Sequence, residues 1–173
     1  MRILICSDAH GDEAILLDKL NKYPDFDHYF YLGDSELMEN NLIFDKFVAV
    51  LGNMDYGDFP ETVDLKDRGI NFFLTHGHLF EVNRNLENLR AEAKKVGADV
   101  ICFGHTHLLT VQEIDQQLII NPGSISQPRN FIQEKGTYVI LEITDTTYQV
   151  FCYNRADQLL ELPQNPLIFE RTK

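Results

Sequence analysis

The sequence predicts an α/β fold, and three observations carry that prediction. Short apolar runs of strand length recur through the first part of the 173-residue chain, and two of them are followed by segments with apolar residues at helical spacing. Each of these early runs ends in a short loop carrying Asp, Asn or His. The later part switches to paired apolar runs around brief polar turns, the pattern of antiparallel hairpins.

Taken in order, Arg2 to Ser7 (RILICS) reads as a strand, and Asp12 to Tyr23 reads as a helix because Ile15, Leu16 and Leu20 share one face. His28 to Leu32 (HYFYL) is a second strand, rich in aromatics and closed by Gly33-Asp34. Phe47 to Leu51 (FVAVL) is a third, closed by Gly52-Asn53. Asn71 to Thr75 (NFFLT) precedes His76-Gly77, Leu86 to Lys95 is the second helix, and Val100 to Phe103 leads into Gly104-His105. Leu109 to Ile114 and Leu118 to Asn121 flank Asp115-Gln116-Gln117 as a hairpin, and Thr137 to Ile143 and Tyr148 to Tyr153 flank Thr144 to Thr147 as another. The tail from Gln164 to Lys173 has no clear periodicity, and no repeat or linker divides the chain, so residues 1–173 are expected to form a single domain.

A hydrophobic share of 44%, with 12 Phe and 7 Tyr, excludes disorder, because such a chain has apolar surface enough to offset the entropy of ordering. The net charge of -12 argues against nucleic-acid polymers and anionic membranes as partners. The N-terminal MRILICSD has too short an apolar run for a signal peptide, and no run reaches membrane-spanning length. Cys6, Cys102 and Cys152 lie in apolar segments without metal-type pairing, which suits buried thiols in a reducing cytoplasm.

In open α/β sheets ligands bind beyond the carboxyl ends of the strands, so the five strand-end loops can converge. Singly, each has an ordinary reading. Asp8-Ala9-His10 can be a turn with an aspartate capping the helix that starts near Asp12, and Gly33-Asp34, Gly52-Asn53 and His76-Gly77-His78 can be polar turns. Jointly they are harder to dismiss, since five of the six histidines (His10, His76, His78, His105, His107) lie in these loops. The sixth, His28, opens a strand and has no special role. Imidazoles and carboxylates are the ligands that suit divalent transition metals. In CFGHTHL, alternation would send His105 and His107 to one face, unless Gly104 turns the chain.

The series Asp8-x-His10, Gly33-Asp34, Gly52-Asn53-x-Asp55, Gly77-His78 after His76, and Gly104-His105-Thr106-His107 resembles the calcineurin-like metallophosphoesterase superfamily over about residues 1 to 153. THGH and NPGS (Asn121 to Ser124) resemble its small bacterial and archaeal phosphodiesterase branch. The resemblance implies a four-layer α/β/β/α sandwich of two mixed sheets flanked by helices. It also implies two divalent ions, the first held by Asp8, His10 and His107, the second by Asn53, His76 and His105, with Asp34 bridging. Mn²⁺ is favoured, and Zn²⁺, Fe²⁺ or Ni²⁺ also suit mixed nitrogen and oxygen ligands. The activity implied is hydrolysis of a small phosphate diester by in-line attack of a metal-bridging hydroxide, with Asp34 and Asn53 in the catalytic centre. Asn53 can coordinate through its carbonyl oxygen without adding charge. Two dications outweigh the charges of Asp8 and Asp34, so the site can attract an anion within an acidic protein.

Many members of the superfamily carry a histidine after this Asn; here the position is Met54, which cannot donate a proton. His78 is the candidate replacement, as a catalytic or substrate-binding group. Arg129 and Ser124 are candidate substrate contacts, Arg129 because a guanidinium grips phosphate oxygens bidentately. Phe80 and Tyr148 to Tyr153 read more safely as core than as a pocket. Three other readings stand beside the diesterase: a phosphomonoesterase, a metal-dependent nuclease, and a protein-interaction scaffold like the retromer subunit similar to this family. A homo-oligomer, dimer or tetramer, is compatible with exposed strands in the later sheet.

Overall fold

The computed structural model describes residues 1–129 and 135–171. β1 (Arg2–Cys6) leads to α1 (Glu13–Lys22), then β2 (His28–Tyr31), a 3₁₀ turn at Leu42–Asp45 and β3 (Val48–Ala49). β4 (Thr62–Asp67) and β5 (Ile70–Thr75) follow, then a 3₁₀ turn at His78–Phe80, α2 (Glu87–Lys95) and β6 (Val100–Cys102). The remaining strands are β7 (Leu109–Ile114), β8 (Gln117–Pro122), β9 (Thr137–Ile143), β10 (Thr147–Asn154) and β11 (Leu167–Glu170).

The strands form two mixed sheets, ordered β11-β10-β9-β1-β2-β3 and β4-β5-β6-β8-β7. The five early strands therefore do not share one open sheet. β1, β2 and β3 run parallel in the first sheet, and β5 and β6 run parallel in the second, with β8 parallel beside β6. The registers Ile5↔Phe30 and Phe73↔Ile101 belong to these two parallel blocks.

Strand alternation builds the layers. Ile3, Ile5, Phe30 and Leu32 point inward and meet Phe72, Leu74, Val100, Cys102 and Ile120 of the other sheet. The alternate residues Leu4, Cys6, Tyr29 and Tyr31 point outward and are covered by Ile15 and Leu16 of α1. On the second sheet Phe73, Ile101 and Ile119 pack on Leu89 and Ala93 of α2. The result is the α/β/β/α order, and it explains the unbroken apolar runs, because these strands are buried on both faces. Truncating an inner residue such as Phe72 to Ala would cost about 3–5 kcal/mol in lost transfer energy and cavity formation.

Two strands carry little sequence signal. β4 (TVDLKD) alternates half-buried Val63 and Leu65 with polar residues at one sheet edge. β11 (LIFE), within the tail of no clear period, pairs with β10 at the edge of the other sheet. The cap of α1 is Asp12, whose side chain accepts from the Ile15 N–H at 3.2 Å, and Asp8 is left for other work. The three cysteines are buried and unpaired, and burial raises their thiols, to about 12 at Cys6 and Cys152. His28 is tied to Asp67 at 2.9 Å, linking β2 to the end of β4.

Candidate metal centre

The loops after β1, β2, β3, β5 and β6 meet at one end of the sandwich. Main-chain bonds carry the β1–β2 ladder past the strands: Asp8 N–H donates to Gly33 O at 3.0 Å, His10 N–H to Asp34 O at 3.1 Å, and Gly11 N–H to Ser35 O at 2.8 Å. Within the second sheet, Gly104 N–H donates to His76 O at 3.0 Å, and across the two sheets Ile125 N–H donates to Ser7 O at 3.0 Å. Buried Tyr31 adds a tether, accepting from Ala9 N–H at 2.9 Å and donating to Asp34 O at 3.2 Å.

Backbone strain is concentrated here. Asp8 (φ 54), His10 (φ 46), Asp34 (φ 53), Glu36 (φ 55), His105 (φ 67) and His107 (φ 60) all occupy the left-handed region, which costs of order 1–3 kcal/mol for each non-glycine residue. Such conformations persist only where surrounding structure imposes them. They also dispose of simple alternation in CFGHTHL, because both histidines turn the chain themselves. Gly104 has a different duty from the tight turn expected of it. A Cβ there would overlap the Ser7 hydroxyl and lie 2.9 Å from both Asp8 Oδ2 and Leu32 O, so glycine permits this close approach.

Asp8, His10, Asp34 and His107 each offer a ligand atom within 4.8 Å of the others. On the other side of Asp34, His76 Nε2 lies 3.4 Å from Asp34 Oδ2 and 3.2 Å from Asn53 Oδ1. His105 stands beside His76 with ring centroids 5.1 Å apart, and His78 lies 6.2 Å from His105. The structure thus brings together all seven residues expected to hold metal, with Asp34 between the two groups.

The tautomers follow from the hydrogen bonds. His76 Nδ1 lies 2.6 Å from Leu32 O, His107 Nδ1 lies 2.6 Å from Gln127 O, and His10 Nδ1 lies 2.7 Å from Glu36 Oε1. Carbonyl and carboxylate oxygens only accept, so each Nδ1 carries the proton and, in the neutral ring, each Nε2 presents a lone pair. His10 Nε2 and His107 Nε2 face each other at 3.2 Å. His107 Nε2 is also 3.2 Å from Asp8 Oδ1, and that buried oxygen has no hydrogen-bond partner among the described residues. Converging lone pairs and an orphaned buried carboxylate oxygen are the donor set of a cation site, and the residues present fit a divalent ion. His105 is reversed, with its Nε2 2.9 Å from the Asn83 amide.

Protonation follows the same charges. Burial disfavours the imidazolium at His76 and at His107, but the Asp34 and Asp8 carboxylates beside them prevail and raise both. Burial likewise works against the Asp34 carboxylate, yet His76 holds its pKa below the usual value. His78 and His105 are lowered, first by burial and then by the charge of His76. A bound cation would take the place of the protons that His76 and His107 attract.

Of the remaining candidates, Ser124 is fully buried, and its hydroxyl donates to Asp8 O at 2.7 Å while accepting from Gln127 N–H at 2.6 Å. The hydroxyl expected to contact substrate is engaged inside the loop. Arg129 is exposed, its main-chain N–H 3.4 Å from His107 O. His78 is half-buried, and its Nδ1 has no hydrogen-bond partner among the described residues. Met54 is exposed, and its N–H donates to Asp34 Oδ1 at 2.8 Å. Phe80 packs against the α2 core and Tyr148 lies in the core between the sheets.

The sequence shows no role for Glu36, Asn83 or Tyr31, whose contacts with the site arise from the fold, and none for Asp55 beyond its place in the motif. Asp55 accepts from the N–H groups of Asp34, Ser35, Glu36 and Gly52 at 2.7–2.9 Å and from the Ser35 hydroxyl at 2.8 Å. A single carboxylate thereby fixes the loops after β2 and β3.

This fold and this cluster of imidazoles and carboxylates define a metallophosphoesterase-type centre, and residues 1–146 match the calcineurin-like phosphoesterase superfamily domain, the family to which the chain belongs. It is 35% identical over 167 residues to the probable metallophosphoesterase YsnB of Bacillus subtilis, covering 95% of this chain and 98% of the relative. It is 36% identical over 98 residues to phosphodiesterase YfcE of Escherichia coli, covering 51% and 50% of the two chains. A Streptococcus pneumoniae crystal structure described as a predicted phosphoesterase superposes with TM-score 0.92 at 32% identity, covering 98% of this chain and 97% of that one. The Zn²⁺ complex of Vps29 from Entamoeba histolytica shares the fold alone, with TM-score 0.74 at 21% identity over 98% of this chain and 99% of its own.

Proposed function

We propose that this chain is a binuclear metal-dependent phosphodiesterase acting on a small phosphate diester. The observation that carries the reading is Asp8 Oδ1, without a hydrogen-bond partner among the described residues, beside the opposed Nε2 atoms of His10 and His107, an arrangement that a cation relieves. Asp8, His10 and His107 would hold one ion, Asn53, His76 and His105 the other, and Asp34 both. Mn²⁺ is the first candidate; Zn²⁺, which the Entamoeba Vps29 structure binds, Fe²⁺ and Ni²⁺ suit the same ligands. When bound, two such ions supply a nucleophile at neutral pH and neutralise charge building on the phosphoryl oxygens.

The chain's own residues have separable tasks. Asp34, fixed by the Met54 N–H at Oδ1 and facing His76 from Oδ2, sets the spacing of the two ligand groups. Asn53 contributes an uncharged oxygen, which leaves the centre net positive for an anionic substrate. His78, with Nδ1 unbonded at the edge of the centre, is assigned to the substrate side, and the exposed Arg129 guanidinium to the phosphate oxygens. The net charge of -12 fits a small-molecule substrate met in the cytoplasm better than a nucleic-acid polymer or a membrane. No helix among the described residues is long and apolar enough to cross a membrane.

The test is hydrolysis of bis(p-nitrophenyl) phosphate by metal-stripped protein after adding back Mn²⁺, Zn²⁺, Fe²⁺ or Ni²⁺, with p-nitrophenyl phosphate as comparison. Diester cleavage exceeding monoester cleavage is expected. Cleavage of neither with any ion would favour the scaffold reading, and a preference for the monoester would make the protein a phosphomonoesterase.

A further inference from the structure

We propose that Glu36 is a positioning residue that tightens the ion held through His10; the inference rests on the metal-site reading above and extends it to a residue outside the ligand set. Glu36 Oε1 lies 2.7 Å from His10 Nδ1, on the opposite side of the ring from the Nε2 that faces His107. The carboxylate therefore fixes the proton on Nδ1, directs the Nε2 lone pair into the centre and makes that nitrogen a stronger donor. Carboxylate–histidine–metal relays work in this way, and loss of the outer carboxylate typically weakens metal binding about 10–100-fold.

Two further observations set Glu36 apart from an ordinary surface ion pair, which contributes little. The first is placement: Glu36 adopts φ 55, and its N–H is held by Asp55 Oδ1 at 2.8 Å, through the same carboxylate that fixes Asp34. The second is contrast. His76 and His107 rest their Nδ1 atoms on the neutral carbonyls Leu32 O and Gln127 O, so His10 is the one of these three supported by a charged acceptor. The ion on the His10 side should thus be the more dependent on a group that can be removed without opening the core, since the Glu36 side chain is 41% exposed.

The experiment is Mn²⁺ titration of metal-stripped wild type, Glu36→Ala, Glu36→Gln and the remote control Glu161→Gln, followed by calorimetry and by the electron paramagnetic resonance signal of free Mn²⁺. Thermal unfolding of each metal-free protein is recorded alongside. Glu36→Ala should weaken one ion by about 10–100-fold and leave any second ion within about twofold, without lowering metal-free stability. Glu36→Gln, which keeps an acceptor oxygen, should recover part of the loss, and Glu161→Gln should match wild type. Unchanged affinities in Glu36→Ala overturn the proposal, as does equal weakening of both ions, which would mark a structural role. Complete loss of one ion in both Glu36 variants overturns it in favour of direct ligation. A wild type that binds one ion still tests Glu36; a wild type that binds none defeats the metal-site reading and this inference with it.

Discussion

The main-chain N–H of Asp34 donates to Asp55 Oδ2 at 2.8 Å, while Asp55 Oδ1 takes the N–H groups of Ser35 and Glu36 at 2.7 and 2.8 Å. The residue proposed to bridge two ions is thus held by a carboxylate that is not itself a proposed ligand. Hydrogen bonds to a charged acceptor contribute roughly 1.5–3 kcal/mol each, with little additivity within one cluster. Asp55→Ala should therefore lower stability by about 3 kcal/mol in urea denaturation and reduce Mn²⁺ stoichiometry below that of wild type. Unchanged stoichiometry would show that the ligands hold Asp34 without Asp55.

Gly104 separates close packing from backbone conformation as the reason for a glycine. Gly104→Ala pushes a methyl group into the Ser7 hydroxyl, which hydrogen-bonds Asp8 Oδ2 at 2.5 Å. A cost of about 3 kcal/mol and loss of tightly bound Mn²⁺ are expected. Gly97→Ala is the comparison. Its φ is +66, but its nearest neighbour is Asn71 Nδ2 at 3.7 Å, so it should cost only the left-handed penalty of about 1–2 kcal/mol and keep metal binding. Equal metal binding by the two variants would sink the close-packing account.

The elements that sequence exposed are those with both faces buried. ILIC, FFL and VIC announce themselves because both faces of these runs are apolar and buried. TVDLKD and LIFE stay hidden because edge strands keep one side polar or half-exposed, which resembles loop composition. FVAVL shortens to Val48–Ala49 because only those residues pair with β2, although Phe47 and Val50 are still buried. The loops that carry the proposed ligands were legible only jointly, since each alone reads as a polar turn or cap, while five of the six histidines fall in them. Glu36, Asn83 and Asp55 were not, because a hydrogen bond between residues 19 to 26 positions apart leaves no local pattern. The positive φ values of His105 and His107 were hidden for the same reason, being imposed by tertiary packing.

Asp157 predicts how stability responds to acid. Lys19, with a fully buried side chain, places its ammonium 2.5 Å from Asp157 Oδ1, and Lys22 and the Tyr138 hydroxyl reach the same carboxylate at 2.7 and 2.8 Å. Burial pushes the carboxyl up, but these partners outweigh it and hold its pKa below the ordinary 3.8. A lowered folded value means that the stabilisation is complete above the unfolded pKa and is lost as the pH falls through the folded one. Asp157→Asn should cost about 2 kcal/mol at neutral pH, less than a fully buried pair because this carboxylate is partly exposed. The gap from wild type should narrow as denaturation is repeated below pH 3.8. A constant gap would mean that packing, not charge, is lost.

Under the proposed function, position 54 is where the leaving group can be tested. Its N–H, not its side chain, holds Asp34 Oδ1, so Met54→His leaves that bond available while placing an imidazole on an exposed position beside the centre. General acid assistance contributes about 10²–10⁴-fold where the leaving group needs a proton. p-Nitrophenolate leaves readily without one; an alkoxide does not. Under the diesterase reading, Met54→His should leave kcat for bis(p-nitrophenyl) phosphate within about twofold, yet raise kcat for a dialkyl phosphate diester, whose leaving group is an alkoxide, by about 10–100-fold. The gain should fade above roughly pH 6.5, as the new imidazolium loses its proton. An equal change for both substrates, or a gain that does not vary with pH, would show that the residue acts by shape alone.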